Sequence, residues 1–183
     1  MKRIDLTNVQ EAGEFERPAA GAYICKIIKA EDFPEKEYLK VTYDIVEGKF
    51  AGYYEDMRAN HSDWLWAGAY TKSYKPKAQG MFKRFCSAVS RSNGNFVFDA
   101  DKINADERTL AGKKIGLVFQ EEEYYGNDGE KKTRLIVNRE CPVDAVAGAK
   151  IPAVKKLPDE PDTNGVDGFM AIPDGIDEEM PFA

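Results

Sequence analysis

The feature that most restricts the fold is a strict alternation of apolar and polar side chains between Tyr38 and Val46. One set of alternate positions holds Leu39, Val41, Tyr43 and Ile45, and the other holds Tyr38, Lys40, Thr42 and Asp44. Because successive side chains of a strand point to opposite faces, the pattern predicts an antiparallel strand with one face on a core and the other toward solvent. Such a strand needs partners, so we expect a mainly β fold.

Two neighbouring segments are expected to pair with this strand. Residues 22–29 are rich in β-branched and aromatic side chains and are predicted to form the first strand, which residues 32–36 interrupt. After a turn at residues 47–49, residues 50–58 are predicted to form the third strand, with Gly52 marking a bulge or bend.

The second half of the chain predicts a helix and two more strands. Pro76 opens a helical stretch that ends at Asn93-Gly94 and carries an apolar face made of Met81, Phe82, Phe85, Cys86 and Val89. Residues 113–121 and 133–138 read as strands joined by a Gly- and Asn-rich hairpin loop at residues 124–132. The order of three strands, one helix and two strands is that of a five-stranded OB-fold barrel with its helix between strands 3 and 4.

The part of the chain after Cys141 has a composition that cannot build a core. Residues 158–183 hold eight acidic side chains and no Lys or Arg, so the preceding part of the chain, with 26 basic and 24 acidic residues, carries a net charge of +2. Six of the nine prolines follow Cys141, and Phe169 and Phe182 are the only aromatic residues there. We therefore expect an OB-fold domain at residues 1–143 with a short N-terminal leader, a flexible acidic linker at 144–176, and a tail peptide at 177–183.

The composition predicts no enzyme, no metal site and no cofactor. Cys25, Cys86 and Cys141 are far apart without a CxxC pair, and His61 is the single histidine, here expected in a loop. No phosphate loop or nucleophile–base pair is present. No apolar run approaches the ~20 residues of a membrane span, so the chain is expected to be soluble and cytoplasmic.

Aromatic and basic residues are interleaved in the middle of the chain, where six of the nine tyrosines and both tryptophans lie between Tyr38 and Tyr74. Single-stranded DNA calls for this mixture, because cations follow the phosphates while flat side chains stack on unpaired bases. The candidate stacking residues are Tyr38, Tyr54, Trp64, Trp66, Tyr70, Tyr74 and Tyr125. The candidate phosphate contacts are Lys26, Lys40, Arg58, Lys72, Lys75, Lys77, Lys131, Lys132 and Arg134. Any one of these aromatics could equally belong to the core, and any one lysine could be plain solvated surface.

The acidic ending in Pro-Phe resembles the C-terminal peptide of the bacterial single-stranded DNA-binding proteins. The residues that carry this resemblance, and would contact a partner, are Asp177, Glu178, Glu179, Met180, Pro181 and Phe182. Together with the strand order and the aromatic, basic middle, the chain is most similar to the divergent bacteriophage versions. The resemblance implies sequence-independent coating of single-stranded DNA, and recruitment of replication or recombination proteins by the tail. Ala183 departs from the family pattern, in which Phe is the last residue.

Two other hypotheses remain open at this point. One is an adaptor whose OB barrel binds protein and whose tail mimics DNA. The other is a small nuclease that holds a metal ion with Asp and Glu side chains. A homo-oligomer is compatible with all three hypotheses.

Overall fold

A computed structural model of the chain describes residues 3, 5, 7, 16–60, 66–101 and 105–157. The strands within these ranges are β1 (Gly21–Phe33), β2 (Tyr38–Ile45), β3 (Ala69–Ser73), β4 (Lys114–Tyr125) and β5 (Lys131–Cys141). The α-helices are α1 (Tyr53–Asn60) and α2 (Gln79–Ser92). Short 3-10 helices occupy Pro34–Lys36, Pro76–Ala78, Glu107–Leu110 and Val143–Ala145.

All five strands belong to one antiparallel sheet in the order β3-β2-β1-β4-β5. β1 is the longest strand, and its first half pairs with β4 while most of its length pairs with β2. A bulge between Ile27 and Lys29 lies in this shared strand, and such irregularities bend a sheet. Within the described residues no strand pairing joins β3 to β5, so the sheet is open there. The predicted mainly β architecture is confirmed.

The core lies on the face of the sheet that the alternating pattern predicted. Leu39, Val41, Tyr43 and Ile45 are all buried, and they pack with Ile115, Leu117 and Phe119 of β4. The helix α2 adds Phe85 and Val89, both fully buried, from the predicted apolar stripe. Met81 at the edge of that stripe stays 49% exposed, so the buried face of α2 is narrower than the sequence indicated.

The prediction of a third strand at residues 50–58 is wrong, because the chain forms α1 there and reaches β3 only at Ala69. The cause is tertiary: the buried Asp44 carboxylate accepts hydrogen bonds from the backbone N–H groups of Tyr54 (3.0 Å) and Glu55 (3.1 Å). These donors lie in the first turn of α1, where they lack intrahelical partners. Gly52, at φ 77°, provides the left-handed turn that leads into the helix.

The first strand is longer than predicted and ends within the predicted break at residues 32–36. β1 extends to Phe33, opposite Tyr38 of β2, before the 3-10 helix Pro34–Lys36 and Glu37, at φ 55°, close the hairpin. By contrast, the predicted helix is confirmed. The 3-10 turn that starts at Pro76 leads into α2, and α2 ends before Asn93. Gly94, at φ 59°, follows. Both C-terminal strands are longer than predicted.

Residues 143–157, here called the C-terminal segment, follow β5 and pack along β4, with a parallel bridge between Glu122 and Lys155. The Lys155 N–H donates to the Glu121 carbonyl (2.8 Å), and the Glu123 N–H donates to the Lys155 carbonyl (2.9 Å). The Gln120 side chain also donates to the Ala153 carbonyl (2.6 Å). The proposed domain boundary after residue 143 stays a prediction, but the chain beyond it contacts the sheet up to Leu157, whose N–H donates to the Glu123 carboxylate.

No helix in the described part of the chain has the length and apolarity to cross a membrane.

Candidate nucleic-acid interface

The side chains of β1, β2 and β3 that alternate with the core form a second surface, here called the outer face. Strand register arranges it in three rows across β1, β2 and β3. The rows are Phe33, Tyr38 and Ser73; Glu31, Lys40 and Thr71; and Lys29, Thr42 and Ala69. This face therefore carries rings, hydroxyls and charged side chains, while the opposite face of the same strands holds the core residues, with Asp32 and Lys72 as polar members of the Leu39 row.

An aromatic pair occupies the end of the outer face beside the β1–β2 hairpin. The ring centroids of Phe33 and Tyr38 are 5.0 Å apart at an interplanar angle of 31°, and both side chains are half-buried. The Lys36 ammonium lies 6.0 Å from the centroid of Phe33. Rings held this way offer flat apolar surface next to a cation, which suits an unpaired base and its phosphate.

The charges along the outer face are only partly neutralised. Lys29 and Glu31 form an exposed ion pair of 2.6 Å. The Lys29 hydrogen bond, assisted by the positive charges of Lys29 and Lys40, lowers the pKa of Glu31. No described carboxylate forms an ion pair with Lys40 or Lys36, so their charges are available to a bound anion. Lys36 and Lys26, the latter farther along β1, are exposed, whereas Lys40 is half-buried.

Three of the predicted DNA contacts lie in the interior. Tyr54 is buried against Tyr43, and burial raises its pKa to about 12. The Tyr70 hydroxyl is buried as well, and burial together with the Glu140 charge raises its pKa. Lys72 forms a 2.8 Å ion pair with the buried Glu140. Side chains with these contacts cannot stack on a base or meet a phosphate in this conformation.

Two further predicted stacking residues are engaged within the protein. The Trp66 ring N–H donates to the Tyr43 carbonyl (2.9 Å), and the ring is half-buried. The Tyr74 hydroxyl donates to the Asp32 carboxylate (2.7 Å), and its ring packs edge-on against Phe82. Burial and the Asp32 carboxylate raise the pKa of Tyr74. These rings support the ends of β2 and β3.

The predicted contacts on the β4–β5 hairpin form a separate group. Tyr125 is 51% exposed, but the three cations near it are paired with carboxylates. Lys131 contacts Glu123 (2.9 Å), Lys132 contacts Asp128, and Arg134 contacts Glu122 (2.6 Å). Arg134 also lies over the Tyr124 ring, 5.2 Å from its centroid. The positive charges of this hairpin are thus neutralised by acidic residues of the same hairpin.

The remaining candidates divide between surface positions and positions outside the described residues. Arg58 is exposed on α1, and Lys75 and Lys77 are exposed between β3 and α2. Trp64 and the whole set of tail residues at 177–182 lie outside the described residues, as does His61.

Sequence reasoning missed Phe33, Lys29 and Lys36. Phe33 and Lys36 belong to a segment that contains Pro34 and several charges and is interpreted as a strand break, whereas Lys29 ends the predicted first strand but is not named as a contact. The available signal was the position of Phe33 five residues before Tyr38, since a hairpin of that length can set the two rings side by side.

Within the described ranges, no group of three or more His, Cys, Asp or Glu side chains could hold a metal ion. All three cysteines are free thiols. Burial raises the pKa of Cys25 and Cys141, and that of Cys86 to about 11, so these thiols are poor nucleophiles.

A search of curated proteins with this sequence finds no match. One family model does match, described as a protein of unknown function, DUF669, over residues 3–145. That range contains α1, α2 and all five strands, and thus the whole outer face. The chain therefore belongs to the DUF669 family.

Proposed function

We propose that this protein binds single-stranded DNA without sequence specificity through its outer face, and that its acidic tail recruits replication or recombination proteins. The observation that carries the proposal is the half-buried Phe33–Tyr38 pair with Lys36 and Lys40 beside it. In this proposal the protein needs no catalytic group, and it acts where DNA replication or recombination exposes single strands, including those of a bacteriophage in its host cytoplasm.

An OB-type barrel is the architecture we propose for the binding domain. The strand order β3-β2-β1-β4-β5, a long bulged β1 shared by two neighbours, and a helix between β3 and β4 all support it. The Lys72–Glu140 ion pair also links the two edge strands, β3 and β5, whose approach would close a barrel. In OB barrels the face of strands 2 and 3 binds oligonucleotides, and here that face includes Tyr38, Lys40 and Thr71.

The outer face matches the chemistry of a flexible single strand. Base stacking on an aromatic ring contributes about 1–3 kcal/mol per base and tolerates every base, because each base has a π-face. The lysine charges supply attraction to phosphates that weakens as salt rises. Neither interaction reads a base edge, which is why we propose binding without sequence specificity.

The tail of residues 158–183 supports the second half of the proposal. Its eight carboxylates would steer it toward basic surfaces of partner proteins, where Met180 and Phe182 could fill an apolar pocket. An extra residue, Ala183, follows Phe182, so removal of Ala183 should tighten binding to any partner that reads the carboxylate of a terminal Phe.

The direct test compares the full-length protein with a Phe33→Ala/Tyr38→Ala variant in binding labelled oligo-dT, followed by fluorescence anisotropy. Loss of two stacking rings should weaken binding by about 10-fold or more, since each stacked base is worth about 1–3 kcal/mol. Phe96→Ala is the matched control, because Phe96 is also half-buried and also has a lysine, Lys113, over its ring. That variant should bind as the unchanged protein does.

Absence of salt-sensitive binding to oligo-dT by the unchanged protein at low salt would refute the proposal and favour the adaptor hypothesis. Cleavage of the labelled DNA in the presence of magnesium or manganese would favour the nuclease hypothesis instead.

A further inference from the structure

A second basic surface follows the outer face along the chain. Residues 64–98 contain no Asp or Glu and six basic residues, namely Lys72, Lys75, Lys77, Lys83, Arg84 and Arg91. Lys72 is buried in its ion pair, whereas Lys75, Lys77 and Lys83 are exposed. None of these three exposed lysines forms an ion pair with a described carboxylate. We call Lys75, Lys77 and Lys83 the helix-entry patch.

The structure brings this patch to the aromatic end of the outer face. Ser73 lies opposite Tyr38 in the sheet, and the chain then passes directly through Lys75 and the 3-10 turn Pro76–Ala78 into α2. The Tyr74 N–H donates to the Glu37 carbonyl (2.8 Å), which ties this crossing to the β1–β2 hairpin. The patch is therefore continuous with the row that contains Phe33 and Tyr38.

Contacts within the protein hold this junction in place. Tyr74 bonds Asp32 at the end of β1 and packs on Phe82, at the first full turn of α2. Lys83 lies beside Phe82 and lines the same cleft as Tyr74 and Asp32. No acidic residue occupies the first turn of α2, although Asp99, Asp101 and Glu107 also line the cleft that Lys83 lines. The backbone that carries these lysines is thus tied to the strand ends that carry the stacking rings.

We propose that a single strand bound on the outer face continues past Tyr38 onto the helix-entry patch, where its phosphates contact Lys75, Lys77 and Lys83. The inference rests on the proposed function and adds a second subsite to it. Bases stack on the sheet, while the helix-entry patch binds backbone only. The site is therefore longer than the sheet surface, and short oligonucleotides fill only its aromatic part.

The test measures the affinity of Lys75→Gln/Lys77→Gln/Lys83→Gln in the full chain for oligo-dT of about 6 and about 30 nucleotides, sizes chosen around the range of OB-fold sites. The variant should bind the short strand as the unchanged protein does. It should bind the long strand about 10- to 100-fold more weakly, and the slope of log K against log salt should become shallower by about 2, or about 0.7 for each lost contact.

The control is Lys150→Gln/Lys156→Gln, which removes positive charge from exposed lysines outside both surfaces that, like the patch lysines, form no ion pair with a described carboxylate. It should leave both affinities close to those of the unchanged protein. Equal affinity of the patch variant and the unchanged protein for the long strand would overturn the inference while leaving the proposed function intact. Absence of binding to either strand by the unchanged protein would overturn both.

The acidic tail is the other anion that could occupy the patch. In that case the patch variant would release the tail to compete with DNA, and it would weaken binding of short and long strands alike. If the eight acidic tail residues were also replaced with Asn and Gln, the patch variant would then bind oligo-dT with the same affinity as the protein in which the patch is unchanged. Either result would contradict the inference.

Discussion

At the scale of single residues, Asp44 shows how one side chain changes the path of the chain. It alternates with the core residues of β2 as Lys40 and Thr42 do, yet it is only 3% exposed. Its carboxylate accepts hydrogen bonds from the N–H of Ile45 (2.8 Å) and from those of Tyr54 and Glu55 in the first turn of α1. A negative charge at this place also complements the positive end of the helix. Asp44 thus ties α1 to β2.

Asp44→Ala should lower the free energy of unfolding by about 1–3 kcal/mol, because it leaves helix N–H groups buried without an acceptor. Urea unfolding followed by circular dichroism measures this loss. The control is Asp56→Ala, which removes an exposed carboxylate from the first turn of the same helix and should cost less than about 0.5 kcal/mol. Equal losses in the two variants would show that the destabilisation comes from removing a negative charge near the helix, and not from removing the capping hydrogen bonds.

At the scale of secondary-structure elements, the contact between β3 and β5 is made by side chains. Lys72 and Glu140 are 2.8 Å apart, and their side chains are 11% and 1% exposed. Arg84 of α2 is the next cation, with its Nε 3.9 Å from the Glu140 carboxylate. Because the two strands share no backbone ladder within the described residues, this cluster holds the edges of the sheet and α2 together.

Lys72→Met and Glu140→Leu should each lower the free energy of unfolding by about 3–5 kcal/mol, since each leaves a buried charged partner uncompensated. The double variant Lys72→Met/Glu140→Leu should recover most of that loss, because an apolar pair of similar volume avoids the desolvation cost of the charges. Denaturant unfolding of the three variants provides the measurement. A double variant as unstable as the sum of the single variants would mean that the two side chains do not act as a pair.

At the scale of the whole molecule, opposite charges are separated along the chain. The 26 residues of the tail carry eight acidic groups and no basic one, whereas residues 64–98 carry six basic groups and no acidic one. Attraction between such regions competes with binding of an external anion, and salt screens it. We therefore expect the tail to compete with DNA and so to lower the apparent affinity of the protein for DNA.

Replacing the eight acidic residues of 158–183 with Asn and Gln should tighten oligo-dT binding several-fold at low salt, because the competing carboxylates are gone. The gain should shrink as salt rises toward about 1 M, where the Debye length falls to about 3 Å. Anisotropy titrations at several salt concentrations provide the measurement, with a chain that stops after Leu157 as a comparison. An unchanged affinity in both altered proteins would show that the tail does not act on the proposed DNA-binding surface.

The sequence by itself determined the elements whose evidence is local. The period-2 alternation of Leu39, Val41, Tyr43 and Ile45 predicted both β2 and its buried face, and the apolar stripe beginning after Pro76 predicted α2. Each of these properties depends on neighbours in the chain, so it can be read without coordinates.

Only the tertiary structure decided where the remaining candidate site residues lie. Residues 53–60 became a helix because Asp44, ten positions before Tyr54, caps them, and Lys72 became interior because Glu140, 68 positions away, neutralises it. Phe33 reached the outer face because β1 continues far enough to pair it with Tyr38. The free energy that fixes these side chains comes from contacts between segments that are distant in the chain. A local sequence pattern does not predict such contacts.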